Sequence, residues 1–237
     1  MTINNTDMEN KKKGYKLRLI IKAIRNTFLA LLFFGISLFL PADTLRFWNA
    51  WLFLGVFILS MFFILMYIFI HNPDLMEKRM RGSERENPQK IIMTLLILSV
   101  LLTFVVAGFD FRYHWSTVPA FLMVLSTLIM LIGFIMLFMV TLQNSYASHI
   151  IEIQEEQKLI DTGLYSIVRH PMYLAYLIIF IVTPFILGSY YALIPMSFIL
   201  LFLGFRLVNE EKILNKGLQG YDLYMKKVRY RLIPYIW

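Results

Sequence analysis

The chain contains no cysteine, which excludes disulfide scaffolds, thiolate nucleophiles, Cys-ligated zinc and iron–sulfur clusters. It is also poor in charge: 16% of its 237 residues are Asp, Glu, Lys or Arg, against about 25% in soluble domains. With 59% hydrophobic residues, against about 45–50% in average domains, this argues against a soluble globular protein. Its 21 Phe and 13 Tyr exclude disorder, because disordered chains are poor in aromatic residues. No internal repeat of solenoid or transporter type is visible. The His residues (His71, His114, His149 and His170) are scattered, and no metal is expected.

The apolar excess is organised in runs. A helix of roughly 20 apolar residues crosses a bilayer core, and six stretches approach that length: Leu17 to Leu40, Phe47 to Ile70, Ile91 to Gly108, Val118 to about Tyr146, Met172 to Leu187 and Tyr191 to Val208. The fifth is short. Only Gly188-Ser189-Tyr190 separates it from the sixth, and Pro184 and Pro195 flank the break, so the pair reads as a tight antiparallel helical hairpin. The expected fold is therefore all-α: a polytopic integral membrane protein with about six transmembrane helices.

With six spans, all of the 23 basic residues except Arg46 and Arg112 fall on one side. The positive-inside rule makes that side cytoplasmic, with both termini on it. This accounts for the formal net charge of +8. The basic residues are juxtamembrane anchors, each worth about 1 kcal/mol of attraction to anionic headgroups, and nucleic acid is not an expected partner. The first run is too long and too lysine-interrupted for a signal peptide, so it is expected to be retained. Three regions follow: a polar cytoplasmic tail (1–16), expected to be disordered; four spans (17–146) with a polar loop at 72–90 containing a short amphipathic helix; and a C-terminal region (147–237).

The C-terminal region holds the chemistry. Pro171 is suited to the first position of a helix, which puts Arg169 and His170 at the entry of the fifth span and Tyr173 one turn inside it. Arg206 and Glu210 are four apart near the end of the sixth span, on one helical face, followed by Glu211. Taken singly, each residue also fits an interfacial anchor. Because the hairpin is tight, its two ends must be neighbours. Arg169, His170 and Tyr173 should therefore meet Arg206, Glu210 and Glu211 in a polar pocket at the cytoplasmic surface. Charged groups at span edges are functional candidates.

The run Gly163-Leu164-Tyr165-Ser166-Ile167-Val168-Arg169-His170-Pro171-Met172-Tyr173, then Arg206-Leu207-Val208-Asn209-Glu210-Glu211 and the tail 220–234, resembles the isoprenylcysteine carboxyl methyltransferase family. That family is similar in turn to membrane phospholipid N-methyltransferases. The resemblance implies a methyltransferase region over 147–237 that holds S-adenosyl-L-methionine under the hairpin at the cytoplasmic face. Arg169, His170 and Tyr173 would line the cofactor site, the Gly163, Leu164 and Tyr165 backbone would close around it, and Glu210 would bind its amino-acid part. Arg206 and Glu211 would flank the methyl-transfer position. The tail departs from the family pattern at Tyr230, where proline is common, and no role is assigned to Arg229.

The chemistry suits these residues. Methyl transfer from a sulfonium is a direct displacement governed by alignment. A carboxylate acceptor is ionised near neutral pH and needs no base, while an arginine orients it bidentately. A membrane site implies a lipophilic or prenylated acceptor in the bilayer. Two alternatives stay open: a phospholipid amine or another small lipophilic acceptor, and an NADPH-dependent enzyme resembling the membrane sterol reductases.

Overall fold

Lipid offers the backbone no hydrogen-bond partners, so long apolar stretches must satisfy their own N–H and C=O groups as helices. In the computed structural model, which describes residues 5–80, 87–146 and 157–237, they do so. Helices run over Asn5–Ala42 (α1), Trp48–His71 (α2), Pro73–Met80 (α3), Asn87–Tyr113 (α4), Ala120–Gln143 (α5), Pro171–Ile181 (α6), Thr183–Ile186 (α7), Leu193–Gly217 (α8) and Tyr221–Lys227 (α9), with a 3-10 turn at Gly163–Ser166. The described residues contain no strand. The protein is an all-α polytopic membrane protein.

Among the described residues five helices are long and apolar enough to cross a bilayer, while the apolar stretch Pro171–Ile186 is shorter. At 1.5 Å per residue it reaches about 24 Å, less than the roughly 30 Å hydrocarbon core. It is also broken. Pro184 has no N–H to donate, so α6 ends at Ile181 and α7 restarts at Thr183. The segment nonetheless runs from one end of the bundle to the other. Asn49 at the start of α2 donates from Nδ2 to the Ile186 carbonyl at 3.0 Å, and the Ser189 hydroxyl donates to Asp110 near the end of α4. Asp110 also accepts from Ser116 N at 2.7 Å and Ser116 Oγ at 2.6 Å. That buried carboxylate ties the hairpin turn to the α4–α5 connection.

Two boundaries differ from the sequence expectation. The polar segment before Leu17 is helical from Asn5 onward, because an existing helix extends without a new nucleation cost. Tyr15 helps fix it, donating to Glu77 Oε2 of α3 at 2.9 Å. Residues 1–4 of the tail lie outside the described residues, as do 81–86 of the polar loop, whose expected short helix is α3. The sixth span continues to Gly217, so Arg206, Glu210 and Glu211 lie within one helix.

Between the helices sits a core that includes Leu38, Phe47, Phe53, Phe104, Met130 and Ile179. The outward faces are apolar too: Leu40, Phe63 and Phe121 are each about two-thirds exposed or more. A water-soluble protein rarely presents such a surface; lipid covers it at no cost. The close approach of α1 to α4 depends on Gly108, where an added Cβ would lie 2.7 Å from the Leu38 carbonyl oxygen. Gly108→Ala is expected to destabilise the protein by about 1–3 kcal/mol, seen as a lower thermal midpoint in detergent. Gly55→Ala, with nothing within 4 Å, should not lower it.

Candidate functional site

The C-terminal half assembles its polar residues by backbone pairing first. The chain before α6 runs against the tail: Arg169 N donates to the Tyr230 carbonyl at 2.9 Å and His170 N to the Arg231 carbonyl at 3.0 Å. Pro171 at the start of α6 needs no partner for the N–H it lacks. The Arg169 guanidinium caps the tail, donating from Nη1 to the carbonyls of Val228 and Arg229 at 2.8 and 2.9 Å. Tyr224 on α9 donates to the Tyr165 carbonyl at 2.7 Å. The tail is thereby laced onto the entry of the hairpin.

The hairpin ends do meet. Tyr173 Oη donates to Glu210 Oε2 at 2.6 Å and accepts from Arg206 Nε at 2.9 Å. Arg206 Nη1 donates to Gln89 Oε1 at the start of α4, at 3.2 Å. One turn along α8, Glu211 Oε1 accepts from Arg169 Nε at 2.6 Å and lies 3.3 Å from His170 Nε2, while Oε2 accepts from Arg231 Nε at 2.7 Å. Arg169, His170, Arg206 and Glu211 are all buried, each at 7% exposure or less. Buried charges of this kind persist only when paired and hydrogen-bonded.

Two cavities flank this network. A polar one is lined by Asn144, Tyr165, Arg169, His170, Tyr173, Glu210, Tyr221 and Tyr224, among others. An apolar one of about 350 Å³ lies between α1, α2, α4, α5, α6 and α8, lined by residues such as Phe34, Met61, Val100, Phe134 and Leu203, with Arg206 on its wall. Met172 and Tyr173 line both. Burial pushes the Tyr165 phenol up to about 12. Burial also raises the phenols of Tyr221 and Tyr224. All three are therefore neutral at physiological pH. Tyr221 Oη is buried with no hydrogen-bond partner.

Of the residues singled out in the sequence, Tyr165, Arg169, His170, Tyr173 and Glu210 line the polar cavity and Arg206 the apolar one. Glu211 is clasped by basic groups on both oxygens. Gly163 and Leu164 dock on Gln143: Leu164 N donates to Gln143 Oε1 at 3.0 Å, and Gly163, at φ +60°, has the Gln143 side chain where a Cβ would be. Sequence reasoning did not single out Gln89, Gln143 or Asn144, which donates to Tyr165 Oη at 2.8 Å; lone amides carry no spacing signal. Among the described residues no group of three or more His, Asp or Glu could hold a metal.

Residues 120–216 match the model of the isoprenylcysteine carboxyl methyltransferase (ICMT) family. The match bears out the resemblance read from the motifs. It spans α5 to the end of α8 and includes every site residue named from those motifs. No curated protein matches the chain. The family match supports a membrane methyltransferase.

Proposed function

We propose that this protein is an S-adenosyl-L-methionine-dependent methyltransferase that O-methylates the carboxylate of a lipophilic acceptor of isoprenylcysteine type. The observation that carries this reading is the junction at Tyr173. Its hydroxyl touches Glu210 on the polar side and Arg206 on the apolar side, so a cationic small molecule and an anionic lipid would meet across one side chain.

The residues present fit the cofactor. The Glu210 carboxylate in the polar cavity suits an ammonium or sulfonium group, and the lone buried hydroxyl of Tyr221 is a donor waiting for an anionic oxygen. Tyr165, His170, Tyr173, Glu210 and Tyr221 would hold it, and bound there it supplies an electrophilic methyl group. The rest is work for the protein. Arg206 fixes the acceptor carboxylate, which is already ionised near neutral pH and needs no base. The apolar cavity takes the lipid chain and keeps water out, which strengthens each charged contact inside. Glu211 acts as a positioning residue: by holding Arg169 and Arg231 it keeps the tail closed over the site.

Isothermal titration of the purified protein tests the cofactor. S-adenosylmethionine should bind, NADPH should not, and Tyr221→Phe should weaken S-adenosylmethionine binding about tenfold, as expected for a hydrogen bond to a charged group. Binding of NADPH but not S-adenosylmethionine would sink the proposal.

A further inference from the structure

Gln89 lies outside the matched segment and is a polar residue bonded to Arg206 and buried at 1% exposure. On α4 it shares a face with Met93, Leu96 and Val100, at spacings of four, seven and eleven residues. Those three line the apolar cavity, so Gln89 ends their stripe at the level where Arg206 stands. Its Oε1 accepts from Arg206 Nη1. A guanidinium can only donate, which fixes the amide orientation: oxygen toward Arg206, nitrogen away from it. That nitrogen, Nε2, is buried and meets no acceptor.

Buried amide hydrogens are rarely left unpaired. Among the described residues two other buried side-chain polar atoms are also orphaned, Asn209 Nδ2 and Tyr221 Oη. Asn209 directly precedes Glu210 on α8, and Tyr221 lines the polar cavity. All three atoms can donate a hydrogen, and all three belong to the site's own residues or their neighbours. Of the three, only Gln89 Nε2 belongs to a side chain bonded to the buried Arg206, and an unmet donor there calls for an anionic oxygen, not for an ammonium group.

We propose that Gln89 is an acceptor-binding residue: its Oε1 sets the Arg206 guanidinium, and its Nε2–H bonds an oxygen of the acceptor carboxylate. The inference rests on the methyltransferase reading above and sharpens it, because a site built this way selects a carboxylate over an amine headgroup. Gln89→Glu separates the two roles. Glutamate keeps and strengthens the contact to Arg206 but removes the N–H and opposes a carboxylate with a negative charge. Gln89→Leu removes both.

The test uses the full chain in detergent, with N-acetyl-S-farnesylcysteine as acceptor and calorimetry of S-adenosylmethionine alongside. Both variants should raise the acceptor KM about 10- to 100-fold, with cofactor affinity held within about twofold. A Gln89→Glu protein with the wild-type acceptor KM overturns the inference, as does a loss of cofactor affinity in step with KM, which marks a purely structural role. Wild-type protein that methylates the acceptor while both variants match it overturns this inference alone. Wild-type protein that binds no S-adenosylmethionine overturns the methyltransferase reading and this inference with it.

Discussion

Arg206→Ala should lower methyl transfer to a lipophilic carboxylate by about a thousandfold, while the protein still folds and binds S-adenosylmethionine within about threefold of wild type. The magnitude follows from what a preorganised charge does in a dry site. Removing one such group from a water-excluded active site typically costs about 10²–10³ in turnover, and here the same group also aligns the nucleophile. The fold should survive because Tyr173 keeps its bond to Glu210, and α8 keeps its packing through Leu203 and Leu207. Arg206→Lys should recover little. An ammonium is a point charge, and it cannot bond Tyr173 and Gln89 with one rigid fork. Turnover at the wild-type rate in Arg206→Ala would remove arginine from the reaction.

Glu211→Ala is expected to act through the fold instead. Truncation strands Arg169, buried beside it, and Arg231, about one-third exposed. Leaving a buried charge unpaired costs about 3–5 kcal/mol, and the partial exposure of Arg231 puts the expected loss near the lower end. The thermal midpoint in detergent should fall by about 5–10 °C. Limited proteolysis should now cut the tail after Lys226 or Lys227, once Arg169 no longer holds the carbonyls of Val228 and Arg229. Glu211→Gln, which keeps the shape and one acceptor oxygen, should fall between the two. If Glu211→Ala instead keeps its midpoint and its protease resistance but loses turnover, Glu211 belongs to the chemistry rather than to the clasp.

These two glutamates also show how far the sequence could be read. The meeting of Arg206, Glu210 and Glu211 with Arg169, His170 and Tyr173 was legible because membrane helices obey few rules. An apolar run must be a helix, and a three-residue break forces its ends together. The fifth segment was legibly short, and Pro184 supplied the reason it breaks. What divides Glu210 from Glu211 was not legible. One faces a cavity and the other a cluster of cations, and that depends on the tail returning so that Arg231 lands opposite Glu211. No periodicity encodes that pairing. Gln89 was hidden for a different reason: in Asn87-Pro88-Gln89-Lys90 it reads as the edge of a polar loop, and only the packing of α4 against α8 brings it to Arg206. The lysine-rich start of α1 looked like a solvated tail because charge patterning cannot anticipate a tyrosine bonded to α3.

The proposed reaction delivers an electrophilic methyl group to a carboxylate on a lipid-like molecule. It is tested most directly by incubating the purified protein with S-adenosyl-[methyl-³H]methionine in vesicles that contain both N-acetyl-S-farnesylcysteine and phosphatidylethanolamine. Label should enter the farnesylcysteine as a base-labile methyl ester, released as volatile methanol by alkali, and Arg206→Ala should abolish it. Label that resists alkali and migrates with the phospholipid, or no transfer to either acceptor by a protein that binds the cofactor, would contradict the account.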